Sequence, residues 1–420
     1  MASDGNERRW VVAAALCALA SGCGSFGPEA LQQSRLQYNE IVKTTAEEQL
    51  LLNIVRLRYT DTPSSLSVSA IAAQFERSQS VQLIPFFTSA GADVNRSYAA
   101  VLPQAGIAAA DRPTFSLTPL DDQEFTRKLF TPLPLDGIIY LAKTTWPIST
   151  VFRLYLENLN WVPNAQTASG PTPRIAPPFA DFRRGVDALE SLQASGRIVF
   201  AVEERNEALG DPLPAAAVAA RDVIEAAKSG YTYRFDENGA GWTLLRKTQQ
   251  PVLLVDPDAV TSEEMREVAR TFRLKPGLAK YEITQEALSP FPATYPAEGV
   301  SRLDLETRSL LQALYYVSHG IEVPAEHMSG GLVTVTRDEI GRVFDWQQLT
   351  NGLFRVRSVP SDQRPPQAHV AIPYLGYWFY IDRTDQVSKA TFSLLMELAR
   401  LELNGKSGPG PVLTLPVGGR

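Results

Sequence analysis

Apolar residues recur at helical intervals through Leu50, Leu51, Ile54 and Val55, with Thr45 and Glu48 at capping-box spacing ahead of them. Arg56 and Arg58 follow where a helix dipole favours cations, so the pattern predicts a helix that stops at Asp61-Thr62-Pro63. A separate polar helix is expected before it, over Glu29 to Val42. Ser65 to Phe75 fits strand or helix, Val81 to Phe87 reads as a short strand, and Ser89 to Pro113 is a Gly/Ala/Pro-rich passage with no assigned element. A helix from about Asp121 to Phe130 is broken by Pro132 and Pro134. Two apolar helical segments follow, Leu135 to Lys143 and Ile148 to Leu159, with Pro147 suited to the first turn of the second.

Pro163 to Pro178 is dense in Pro, Gly, Ser and Thr and reads as a linker, taken as residues 163–180. Beyond it the pattern alternates: helix Phe182 to Ala194, strand Arg197 to Glu203, helix Ala215 to Lys228, then strands Tyr231 to Phe235 and Trp242 to Lys247 around an Asp236-Glu237-Asn238-Gly239 turn. Val252 to Val255 adds a strand, and Thr261 with Glu264 opens a helix carrying Met265, Val268, Ala269 and Phe272. After a Pro-rich Thr284 to Gly299, a helix is expected from Asp304 to Ser318, a strand from His369 to Asp382, a helix from Gln386 to Leu403 and a short terminal strand over Pro411 to Val417. Hairpin signals beside helices favour an α+β class over a doubly wound sheet. The plan is a mainly helical N-terminal domain (23–162), the linker, an α+β domain (181–285) and a C-terminal α+β domain (286–420), the sheet units largely antiparallel and packed with helices.

The first residues follow a different logic. Arg8 and Arg9 precede an apolar run from Val11 to Ala20, too short for the ~20 residues that span a bilayer, and Leu19-Ala20-Ser21-Gly22-Cys23 has the form of a lipobox. The expectation is a signal peptide over residues 1–22 and lipidation at Cys23, whose thiol takes a diacylglycerol. Several acyl chains give lasting attachment where one does not. Gly24 follows Cys23, where an Asp would signal inner-membrane retention in enteric bacteria, so the outer membrane is favoured with the body in the periplasm.

Composition narrows the rest. Of two cysteines, Cys17 leaves with the signal, so a disulfide framework and a cysteine metal site are excluded. The signal carries two acids and two bases, Asp4, Glu7, Arg8 and Arg9, so the net charge of −6 is unchanged without it. A mildly acidic chain with no basic cluster is a poor nucleic-acid binder.

Catalytic and cofactor signatures are equally sparse. The G-x-S-x-G elbow, S-x-x-K, the Walker loop and G-x-G-x-x-G are all missing. His319, Glu322, Glu326 and His327 cluster in sequence, but Gly320 and Pro324 interrupt any helix that would bring both histidines to one face, so no metal is assigned. His319 is expected at a helix carboxyl end, where its cationic form is favoured. Asp121 with Asp122 and Glu263 with Glu264 fall at helix starts, which explains their charge without catalysis. In the run Tyr374, Tyr377, Trp378, Phe379 and Tyr380, strand alternation places Tyr377, Phe379 and Ile381 on one face and Trp378 and Tyr380 on the other. Core packing accounts for that best, a face offered to a partner less well and a sugar platform least.

Glu47 to Tyr59, Trp146-Pro147, Thr307-Arg308-Ser309-Leu310-Leu311, Gly376 to Asp382 and Pro411 to Val417 together resemble an uncharacterised family of bacterial lipoproteins. The resemblance covers nearly the whole mature chain, supports the anchor and carries no activity. The expected function is that of a lipid-anchored, non-enzymatic binding or scaffolding component at the outer membrane, meeting membrane lipid through Cys23 and other envelope proteins through its body. No catalytic residue, cofactor or metal is assigned. A glycan- or peptidoglycan-acting hydrolase and a surface-exposed adhesion lipoprotein are the alternatives.

Overall fold

The computed structural model describes residues 26–63, 66–72, 75–89, 97–111, 114–119, 123–236, 241–285, 291, 294, 296–360 and 362–403. Cys23, the Asp121–Asp122 pair and the expected terminal strand lie outside them. The fold is α+β. Contacts divide it into two units, one of Met1–Pro63 with Gln123–Gly405 and one of Ser64–Asp122 with Lys406–Arg420.

In the first unit, α1 (Phe26–Arg58) is one unbroken helix where two were expected. Thr45 is not a cap: its hydroxyl donates back to the carbonyls of Ile41 (2.9 Å) and Val42 (3.1 Å), a bond that a mid-helix Thr makes without breaking the ladder. Helices α2 (Gln123–Phe130), α3 (Leu135–Ala142) and α4 (Ile148–Tyr155) follow. Helix α4 ends four residues before the predicted boundary, because Leu156 turns extended and starts β5 (Leu156–Leu159).

Strand β5 enters an eight-stranded sheet ordered β6 (Val162–Pro163), β5, β12 (Arg302–Thr307), β11 (Lys280–Thr284), β10 (Gly241–Val255) and β7 (Ile198–Ala208). Strands β8 (Leu213–Pro214) and β9 (Tyr231–Asp236) also pair with β10. All of these pairings are antiparallel except β11 with β12. Residues 304–307, expected in a helix, form the end of β12 because β5 and β11 flank them, and backbone pairing on both sides overrides local propensity. The helix proper, α8 (Leu310–Ser318), begins at a capping box: Gln312 N–H donates to Ser309 Oγ (3.3 Å) and Ser309 N–H to Gln312 Oε1 (2.7 Å).

Helices α5 (Ala180–Ala194), α6 (Ala220–Lys228) and α7 (Glu263–Thr271) accompany this sheet. The cap of α7 is Ser262, not Thr261, its Oγ accepting from Met265 N–H at 3.2 Å. Toward the C-terminus come α9 (Ala325–Ser329), α10 (Gln347–Thr350), α11 (Gln386–Leu403) and a three-stranded sheet of β13 (Arg357–Val359), β15 (Tyr377–Asp382) and β14 (Ala368–Tyr374), with β15 in the middle. The expected single strand from His369 to Asp382 is a hairpin. Leu375 (φ 46°) and Gly376 (φ 82°) both sit in the left-handed region, as a tight hairpin turn demands.

One hydrophobic cluster runs from Leu50 in α1 to Met396 in α11 and takes in residues of all three expected domains. The predicted linker is part of it. Ala165 and Ala168 are fully buried, Asn164 donates through Nδ2 to the carbonyls of Arg153 (2.9 Å) and Leu156 (2.7 Å), and a short 3₁₀ turn occupies Gln166–Ser169. Its prolines punctuate a packed crossing of the core and do not release a tether.

The second unit is described by its backbone. Strand β1 (Leu66–Ala72) pairs antiparallel with β4 (Thr114–Pro119), and β2 (Phe75–Ser89) with β3 (Ser97–Asp111). The Gly/Ala/Pro-rich passage thus holds a 15-residue strand, β3.

Candidate functional site

The motif Thr307-Arg308-Ser309-Leu310-Leu311 crosses from the end of β12 into α8, and its residues divide by what they face. Thr307, Ser309 and Leu311 line a cavity of about 510 Å³, while Arg308 and Leu310 are buried away from solvent at 0% and 1% exposure. A register shift between Glu306 and Thr307 marks the place where β12 leaves regular pairing with β5.

Arg308 holds the cavity's back wall in place. Its Nε donates to Ser169 Oγ (2.8 Å), Nη1 to the carbonyls of Arg153 (2.8 Å) and Leu154 (3.2 Å), and Nη2 to that of Asn164 (2.6 Å). The guanidinium lies 3.9 Å from the centroid of the Tyr316 ring. Burial lowers its pKa to about 10, with Tyr316 and Glu157 pulling the other way, so it stays cationic at neutral pH. Arg58 and Arg153 are buried in the same manner, on Thr172 Oγ1 (3.0 Å) and on the carbonyls of Leu349 (2.7 Å) and Asn351 (2.9 Å). Arg153 and Arg308 pin loops mainly by their backbone carbonyls, and Arg58 holds one by the Thr172 hydroxyl.

The other walls come from segments far apart in sequence. Glu157 on β5, itself buried, accepts from Gln312 Nε2 at 3.1 Å; Gln285 Nε2 donates to Thr307 Oγ1 at 3.0 Å, and that hydroxyl donates onward to the Leu133 carbonyl at 2.8 Å. Glu306 accepts from Asn158 Nδ2. Phe130, Leu311 and Tyr315 add apolar wall. The charged lining residues are both acidic, so the cavity favours a ligand that brings its own N–H or O–H donors.

The four residues once weighed for metal are dispersed among separate partners. His319 caps α8, is 1% exposed and stacks on Trp346 at 3.9 Å between centroids. Burial, then the nearby Arg58, push its pKa well below 6.5, with the Ala168 backbone opposing, so the expected cationic form is overturned: desolvation outweighs the helix-end field. Glu322 pairs with Arg355, Glu326 accepts from Tyr377 Oη (3.0 Å), and buried His327 shares a 2.7 Å hydrogen bond through Nδ1 with Tyr59 Oη. That last bond fastens the end of α1 to α9, and Tyr374 and Phe379 close edge-on around the Tyr59 ring.

The aromatic run divides as alternation predicts. Phe379 and Ile381 join the main core, whereas Tyr380 packs with Ala368 and Ala371, and Trp378 lies against that smaller group. Glu264 sits at the start of α7, its pKa lowered by the helix-start N–H and by Ser262. The cavity residues Glu157, Gln285, Glu306 and Gln312 were not singled out from sequence, and only the Ser309–Gln312 capping spacing hinted at where they converge.

No protein-family model, curated protein or solved structure matches this chain.

Proposed function

We propose that this is a lipid-anchored protein of the bacterial envelope, held at the outer membrane through Cys23, whose body binds or scaffolds other envelope components and does no covalent chemistry. The observation that carries the binding reading is the cavity beside Thr307, Ser309 and Leu311, backed by buried Arg308 through Ser169 and furnished with acidic acceptors. The Leu19 to Cys23 stretch supports the anchor. Among the described residues no helix is long and apolar enough to cross a membrane.

Two measurements test the reading. Mass spectrometry of the protein from native membranes is expected to find a processed chain beginning at acylated Cys23; an unmodified cysteine overturns the anchor. In-cell crosslinking is expected to return reproducible envelope partners, and a lone monomer that turns over glycan contradicts the scaffold. A second reading, glycan hydrolysis, draws on Glu157 and Glu306 sharing one cavity. It requires peptidoglycan turnover that both Glu157→Gln and Glu306→Gln abolish.

A further inference from the structure

In the second unit, Ala72 pairs with Thr114 and Phe75 with Asp111, equal steps along both chains. The β1–β4 and β2–β3 pairings therefore keep one register, as successive stretches of one antiparallel ribbon would, shifted only between Val68 and Ala70. Among the described residues these strands pair only with one another, and neither outer edge has a strand partner there. A two-stranded ribbon is marginal in water at best, and open edges of this length invite pairing.

The register sorts residue types by face. By register, Val81, Leu83, Pro85, Phe87, Ala99, Val101, Pro103 and Ala105 share one face, which turns polar at Arg77 and Gln79 away from the turn, and Ser78, Ser80, Gln82, Gln104, Gly106 and Ala108 share the other. Toward the turn, Ile84, Phe86, Tyr98, Ala100 and Leu102 interrupt the second face. Alternation of apolar with small or polar positions is the signature of a strand between lipid and a water-filled interior. Strands β2 and β3 are 15 residues each, beyond the ~9–11 that cross a bilayer when tilted.

We propose that this ribbon is one subunit's share of a transmembrane β-barrel closed by several copies of the same chain. The outer edge of β2 and the outer edge of β3 are different surfaces, so copies pair head to tail, and such an interface closes into a ring when its rotation permits. The neighbouring strands are antiparallel, every subunit adds two, and closure satisfies the edges that lipid cannot. Pro85 and Pro103 each lack an N–H, which interrupts hydrogen bonding at single rows and leaves the rest of the ladder intact. The envelope reading says only which membrane is involved, and the barrel stands or falls separately from it.

The test uses full-length protein purified in detergent and added to planar bilayers of phosphatidylethanolamine and phosphatidylglycerol. Discrete conductance steps are expected, together with oligomers that resist dodecyl sulfate until heated. Leu83→Arg, on the apolar face, should lower the frequency of steps at least tenfold. Gln82→Glu, on the opposite face, should leave that frequency unchanged and raise cation over anion permeability. Absence of steps, unimpaired insertion of Leu83→Arg, or unchanged selectivity in Gln82→Glu overturns the barrel, and a soluble oligomer without conductance does the same. An unmodified Cys23 in native membranes would refute the anchor and leave these recordings unaffected.

Discussion

Arg308 and His319 are both buried bases, and their hydrogen bonding separates their fates. Arg308 keeps its charge because four acceptors surround it, whereas His319 has only the Ala168 backbone set against its burial and the nearby Arg58 and Arg308. The consequence is a pH dependence of known sign. The folded pKa of His319 lies below 6.5, so between the two values the unfolded chain holds a proton that the native state lacks. Stability is full above about 6.5 and falls with pH below it, by up to about 1.4 kcal/mol per pH unit for one proton. Partly exposed His369, also lowered by burial, adds a lesser slope of the same sign. Denaturant midpoints measured from pH 7.5 down to 5 should show this loss, and His319→Phe should flatten most of it; an unchanged slope would contradict the assignment. Thr45 supplies a second residue-scale test. In a continuous helix Thr45→Ala removes a β-branched residue and should raise stability by roughly 0.5 kcal/mol, whereas loss of a true cap costs about 1 kcal/mol.

Packing between elements explains which sequence signals held and which failed. Helices α7, α8 and α11 were legible because amphipathic spacing is local, although the caps of α7 and α8 fell on Ser262 and Ser309, where the expected starts were Thr261 and Asp304. Strands β5 and β12 were read as helix because their extended form comes from partners on other parts of the chain. The same dependence appears where α5 meets α7. A Cβ on Gly185 would lie 2.6 Å from ring carbons of Phe272, a contact that only a shift of the helices relieves, while one on Gly170 would meet open space. Gly185→Ala is accordingly predicted to cost about 1–3 kcal/mol by overpacking, and Gly170→Ala to stay within about 0.5 kcal/mol, both read from thermal or denaturant unfolding.

At the scale of the molecule, Asn164, Ala165 and Ala168 convert the Pro-rich crossing from a joint into core, so helical and sheet parts share one interior. Composition announced flexibility there; burial of the same residues by partners distant in sequence decided otherwise. The α+β class was visible in the alternation of patterns, and the cavity was not, since Glu157, Gln285 and Gln312 meet only after the sheet forms. Under the proposed function, that cavity is the working part of an anchored binding protein. A photo-crosslinking residue at Leu311, on the cavity wall, can be compared in the native host with one at Ile340, which is 69% exposed and absent from that wall. The prediction is a discrete adduct with an envelope component from position 311 alone, abolished when Gly170→Leu fills the cavity. Equal adducts from position 340, or adducts that persist in the filled variant, would contradict it.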